Sequence, residues 1–153
     1  MDLTDGLIET VSATASSFAN TFDATGATWA VNITGGSGAD LLIGGNLNDT
    51  LNGGAGNDTL IGNLGNDLLT GGNDTDTISY QTASGPVIVN LTTKKATGAA
   101  GIDTLLGIEN VIGSLYNDTI TGDLLNNLLD GGDIILNNDT ILGGGGVDSI
   151  INA

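Results

Sequence analysis

Cysteine and histidine are both missing from the 153 residues, proline occurs once, and lysine and arginine together number two. Without cysteine there is no disulfide framework and no thiolate metal site. Without histidine the Ser-His-Asp triad, the Cys-His dyad and the HExxH zinc helix are excluded together. Carboxylate chemistry survives this elimination, but aspartates recurring at a fixed period suit ligands better than a matched acid and base, so the chain is not expected to be an enzyme. The only basic side chains are Lys94 and Lys95, against a net charge of −16. No patch exists to neutralise phosphates or to meet an anionic bilayer, so neither nucleic acid nor a membrane surface is an expected partner. No apolar run is long enough to span a bilayer, which argues against membrane insertion. The first ten residues carry no basic residue ahead of their first apolar group, unlike a secretory signal peptide.

Acidic chains with few aromatics tend towards disorder because they repel themselves and bury little. Here the aliphatic content makes the mean hydropathy positive. The two facts fit together if the acids gather around cations while the aliphatics form a core, and the length suffices for one domain.

Glycine is what the chain has in quantity, 26 residues of it. Residues 35–79 divide into five nine-residue units: GGSGADLLI, GGNLNDTLN, GGAGNDTLI, GNLGNDLLT and GGNDTDTIS. The sixth position is always aspartate (Asp40, Asp49, Asp58, Asp67, Asp76) and the eighth always a large aliphatic (Leu42, Leu51, Leu60, Leu69, Ile78). A fixed period of this kind dictates a repetitive architecture. Glycines at the first, second and fourth positions permit positive φ, sharp turns and carbonyl oxygens aimed at a common centre. Aspartate adds a hard anionic oxygen, and such a set favours calcium. Magnesium wants a tighter octahedron, and soft metals want the absent Cys and His.

These units resemble the RTX, or hemolysin-type, calcium-binding repeat, Gly-Gly-x-Gly-x-Asp-x-aliphatic-x. The resemblance is strong over residues 35–80 and looser over 113–151, with a spacer between. It implies an all-β, right-handed parallel β-roll, a β-solenoid of two short-stranded parallel sheets joined by calcium-binding turns, with Ca2+ as cofactor. One coil then takes two repeats, so that turns eighteen residues apart share an ion: Asp40 with Asp58 and Asp58 with Asp76 on one side, Asp49 with Asp67 on the other. Gly36, Gly38, Gly54 and Gly56 are the implied carbonyl donors. Leu42, Leu60 and Ile78 would stack in one inward column, and Leu51 and Leu69 in the opposite one. Outward-facing Ile43 and Ile61 would neighbour each other and offer a surface to a protein partner. Asn63 in place of the second glycine and Asp74 in place of the fourth are expected to weaken the ends of the ion column.

The flanks follow less regularly. Residues 1–34 read as a capping segment, with Trp29, Val31 and Ile33 alternating as a strand that joins the stack. Leu7, Ile8, Val11, Ala15, Phe18 and Phe22 fit either a helix face or irregular rungs, and the Ser/Thr content favours rungs. Residues 35–80 form the first array. Residues 81–112 form a spacer continuous with the solenoid, in which Val87, Val89 and Leu91 make a strand and Lys94 and Lys95 sit at a solvated hairpin tip. Residues 113–153 form a second array with a patchy ligand column: Asp118 is kept, Asn127 stands where a carboxylate belongs, and three extra residues precede Asp139. Asp139 and Asp148 are the expected ligands there, with Asp130 and Asp133 read as solvated acids.

The expected function is a calcium-binding module that folds on binding calcium, the secreted or surface-exposed structural part of a larger system. One alternative is an adhesive solenoid using its outer sheet face. An ice-binding threonine ladder is a poor fit, because the outward columns read Leu41, Thr59, Thr77 and Thr50, Leu68. The other alternative is the repeat portion of an enzyme or toxin. The resemblance further implies extracellular localisation by type I export, with an uncleaved signal after the repeats. The sequence ends at Ala153, soon after its last repeat, which leaves a missing signal, a fragment or another route as the readings.

Overall fold

A nine-residue unit with one large aliphatic can bury it only if successive units turn back on one another. In the computed structural model, which describes residues 9–12, 16–132 and 138–152, they do so. The chain alternates between two facing sheets, each repeat supplying one short strand. The first sheet has nine strands, in spatial order Glu9–Ser12, Val31–Gly36, Thr50–Ala55, Leu68–Asn73, Gly101–Leu106, Lys95–Gly98, Val87–Asn90, Thr119–Thr121 and Thr140–Leu142. The second has seven: Thr21–Asp23, Leu41–Ile43, Thr59–Ile61, Thr77–Ser79, Asn110–Ile112, Leu128–Asp130 and Ser149–Ile151. Two repeats thus complete one coil of a β-solenoid of about seven turns, with no helix among the described residues.

Register fixes the core. Leu42 pairs with Leu60, and Leu60 with Ile78, in the second sheet; Ile33, Leu51, Leu69 and Leu105 succeed one another in the first. All of these side chains are buried, because a three-residue strand turns its middle side chain inward and its neighbours outward. Ile33 therefore enters the column of Leu51 and Leu69, eighteen and thirty-six residues on. Upstream, the rung reading holds where the chain is described: Val11 pairs with Ile33 and Phe22 with Leu42. Phe18 is exposed, outside any apolar face, while Leu7, Ile8 and Ala15 lie outside the described residues.

The spacer departs from a wholly parallel roll. Strand Lys95–Gly98 runs antiparallel to both of its neighbours, Val87–Asn90 and Gly101–Leu106. The chain folds back here because residues 91–94 form a tight turn, with Lys94 at φ 59° and the Lys94 N–H donating to Leu91 O. Both lysines are solvent-exposed at this tip. The hairpin adds two strands to the first sheet only. In the second sheet Thr77–Ser79 pairs directly with Asn110–Ile112, as though no spacer intervened.

The three-residue insertion of the second array is absorbed without loss of register. Thr119–Thr121 pairs with Thr140–Leu142, and Leu128–Asp130 with Ser149–Ile151.

Candidate metal centre

Each sixth-position aspartate stands immediately before a strand, at the corner where the chain turns from one sheet to the other. Asp40, Asp58 and Asp76 precede strands of the second sheet; Asp49 and Asp67 precede strands of the first. All five are buried. Stacking in register brings each carboxylate against the coil before it. The Asp40 N–H donates to Asp58 Oδ1 (2.7 Å) and the Asp58 N–H to Asp76 Oδ1 (2.8 Å). On the other side the Val31 N–H donates to Asp49 Oδ1 and the Asp49 N–H to Asp67 Oδ1, both at 2.8 Å. These are the pairs and the sides that the eighteen-residue coil implied.

The second oxygen faces the other way. A Cβ on Gly35 would overlap Asp40 Oδ2 and meet Gly53 O, one coil further on. Gly44 is flanked in the same manner by Asp49 Oδ2 and Gly62 O, and Gly71 by Asp76 Oδ2 and Gly107 O. The first glycine of the repeat is therefore required by close approach: its missing side chain leaves the space in which a carboxylate oxygen and a carbonyl oxygen from successive coils face each other. Three of the four implied carbonyl donors also lie against the next coil. A Cβ on Gly54 would strike Gly36 O, one on Gly56 would strike Gly38 O, and one on Gly72 would strike Gly54 O, so these oxygens point at the following coil. Gly56 also donates its N–H to Asp74 Oδ2 at 3.1 Å.

Both departures from the glycine pattern keep the turn. Asn63 has φ 67° and Asp74 φ 76°, the left-handed region that Asn and Asp tolerate best after glycine.

The electrostatics of the columns call for a cation. Asp40, Asp58, Asp67 and Asp76 each bury an Oδ2 atom with no hydrogen-bond partner. A buried unpaired carboxylate oxygen is costly. Burial pushes Asp67 and Asp76 up to about 7; the neighbouring acids add to this, Asp103 and Asp49 for the former, Asp58, Glu109 and Asp74 for the latter, against a partly offsetting backbone hydrogen bond. Burial likewise raises Asp49 and Asp58. Among the described residues no three acidic side chains converge on one point, so an ion between coils would draw most of its oxygens from the main chain. Paired carboxylates with glycine carbonyls are the hard, flexible oxygen set that calcium takes. A cradle that a Cβ would fill, lined by orphaned anionic oxygens, fits that ion. Gly53→Ala, whose Cβ would displace Asp58 Oδ2, is accordingly expected to weaken calcium binding about as much as loss of the Asp58 charge, measured by isothermal titration.

Two acids continue the columns through the spacer without having been singled out in the sequence. The Asp67 N–H donates to Asp103 Oδ1 (3.0 Å) and the Asp76 N–H to Glu109 Oε2 (2.9 Å). The first column begins at Asn20, whose N–H and Nδ2 both donate to Asp40 Oδ1.

The second array keeps the arrangement in part. The Val87 N–H donates to Asp118 Oδ1, the Asp118 N–H to Asp139 Oδ1 (2.7 Å) and the Asn127 N–H to Asp148 Oδ1 (3.0 Å). Gly131 and Gly143 accommodate the carboxylates of Asp139 and Asp148, though both acids are only half-buried. Asn127 shows how a site is lost: its Nδ2 donates to Glu109 O (2.8 Å), so an amide occupies a carbonyl of the preceding coil. Asp130 accepts from Gly132 N and Asn152 Nδ2, a local structural role; Asp133 lies outside the described residues.

A solenoid whose corners stack carboxylates and glycine carbonyls in two columns is a repeat protein built around hard cations. The family model of the RTX calcium-binding nonapeptide repeat matches four segments, residues 32–51, 43–78, 106–133 and 137–151. Together these span more than half of the chain, which belongs to that family. Comparison with curated proteins finds none that matches.

Proposed function

We propose that this RTX module folds when it binds calcium and works as the extracellular structural part of a larger system. The observation that carries this reading is the set of buried, unpartnered Oδ2 atoms on Asp40, Asp58, Asp67 and Asp76. Without a cation the stacked acids repel one another and the glycine-rich turns carry a large ordering entropy. With one, binding free energy becomes folding free energy, because only the folded chain has the site. Asp40, Asp49, Asp58, Asp67 and Asp76 supply the side-chain ligands, Gly36, Gly38, Gly54 and Gly56 the carbonyls, and Asp139 and Asp148 weaker sites in the second array. The module itself is non-catalytic. The steep rise in calcium from cytoplasm to exterior would then tie folding to export.

Circular dichroism of metal-stripped protein during titration tests this. A coil-to-β transition with calcium, and little with magnesium, is expected; full β structure in the metal-stripped protein overturns it. An adhesive role has less support. Ile43 and Ile61 pair directly, but both are half-buried and the next strand ends in the buried Ser79.

A further inference from the structure

We propose that the spacer completes one more cation site, between residues 62–67 and 98–103, and that Tyr80 closes the column beyond it. The inference rests on the calcium-binding reading of the repeats. It concerns a segment that the family matches leave out, since these stop at residue 78 and resume at residue 106.

Residues 98–106 read GAAGIDTLL, with glycine at the first and fourth positions, aspartate at the sixth and leucine at the eighth. Their contacts repeat those of a regular rung. Gly101 has φ 127° beside 137° at Gly65, and a Cβ on it would strike Gly65 O, as one on Gly65 would strike Leu47 O. The Ile102 N–H donates to Asn66 Oδ1 (2.9 Å), just as the Asn66 N–H donates to Asn48 Oδ1 (2.8 Å). Asp103 accepts from the Asp67 N–H as Asp67 accepts from the Asp49 N–H. Leu105 lies inward beside Leu69.

The first of these two turns ends in an atom that asks for a ligand. Asp67 is 2 % exposed, and its Oδ2 is buried without a partner. Gly65 places Asp67 Oδ1 on the side of Leu47 O, the preceding coil, and in the equivalent rungs Oδ2 faces the coil that follows. For Asp67 that coil is the spacer turn. Asp67 Oδ2 and Gly65 O from one side and Asp103 Oδ1 from the other supply hard oxygens to a divalent cation, with further carbonyls completing its shell.

Beyond Asp103 the column ends in protein. Its Oδ2, the oxygen that would serve a next ion, accepts from the Tyr80 hydroxyl at 2.9 Å, and Tyr80 is buried. A neutral donor thus takes the place of a cation, much as Asn20 does at the start of the other column.

The test counts ions on the full chain by native mass spectrometry at saturating calcium, with terbium as a second probe. Asp103→Asn keeps an acceptor for the Asp67 N–H, turns an amide N–H towards the Tyr80 hydroxyl oxygen, and is expected to bind one ion fewer than the parent while circular dichroism still reports the β-roll. Tyr80→Phe is expected to keep the ion count but lower tyrosine-excited emission from bound terbium. An unchanged count in folded Asp103→Asn overturns the proposal, and if that variant fails to fold, emission unchanged in Tyr80→Phe overturns it instead. A parent chain that binds no calcium would refute the calcium-folding reading itself, whereas a calcium-binding parent with an unaltered Asp103→Asn count refutes only the spacer site.

Discussion

Asp58→Asn is expected to raise the calcium concentration needed for folding by at least roughly tenfold, equivalent to ~1.4 kcal/mol, and by clearly more than Asp148→Asn. Asp58 lies in the middle of its column. Its Oδ1 accepts from the Asp40 N–H, its own N–H donates to Asp76 Oδ1, and its Oδ2 is buried without a partner, so it stands between two gaps. Asp148 lies in the last coil described, half-buried, and its partner in the preceding coil is the uncharged Asn127. Asparagine preserves an acceptor for the Asp40 N–H, so the change removes charge without orphaning that donor. In the metal-stripped state the same substitution acts in the opposite sense, because burial already penalises the Asp58 carboxylate. Equal calcium midpoints for the two variants would show that the acids are not shared between coils.

The second large effect is a pH dependence that changes sign with metal. Asp67 and Asp76 sit at about 7 in the folded, metal-free chain, against an ordinary carboxylate value of about 4. The folded state therefore binds more protons than the unfolded one between those limits. Metal-free stability is greatest below about pH 4, declines as pH rises, and carries the whole penalty above about 7. Acidifying metal-stripped protein from about pH 8 to about pH 5 should consequently increase its β signal. Calcium competes with those protons. Below about pH 7 each site that must release one proton should lose roughly tenfold in apparent affinity per pH unit. Calcium titrations followed by circular dichroism at several pH values read both arms; a metal-stripped β signal that falls on acidification would contradict the burial of these groups.

Much of this architecture is legible in the residues. Nine is half a coil, so Asp40, Asp58 and Asp76 had to share one side and Asp49 and Asp67 the other, and the eighth-position aliphatics had to form facing columns. The spacer was harder to read because its function lies in phase rather than in continuity. Asp103 stands thirty-six residues after Asp67, an integral number of repeats, but Pro86 and a conventional alternation at Val87, Val89 and Leu91 draw the eye to a hairpin instead. Glu109 was hidden for another reason. It is one methylene longer than aspartate and reaches Asp76 from a turn that lacks the glycine spacing. The antiparallel strand Lys95–Gly98 had no signal beyond the turn-forming residues before it. At the N-terminus, small residues left both helix and rung open until pairing of Val11 and Phe22 with the stack decided it.

The direct pairing of Thr77–Ser79 with Asn110–Ile112 also governs how order can spread along the molecule. In a stack where each layer touches only its neighbours, folding propagates like a zipper from any formed layer. Within the first array each new layer closes a loop of eighteen residues. At the spacer the next layer is 33 residues away, Thr77 to Asn110, while the opposite sheet must first seat its hairpin. Loop closure grows costlier with length only slowly, so this junction is a slow tooth in the zipper rather than a break. The two arrays are accordingly expected to fold as one cooperative unit, with a pause between them that stopped-flow circular dichroism after calcium addition would register as a second phase.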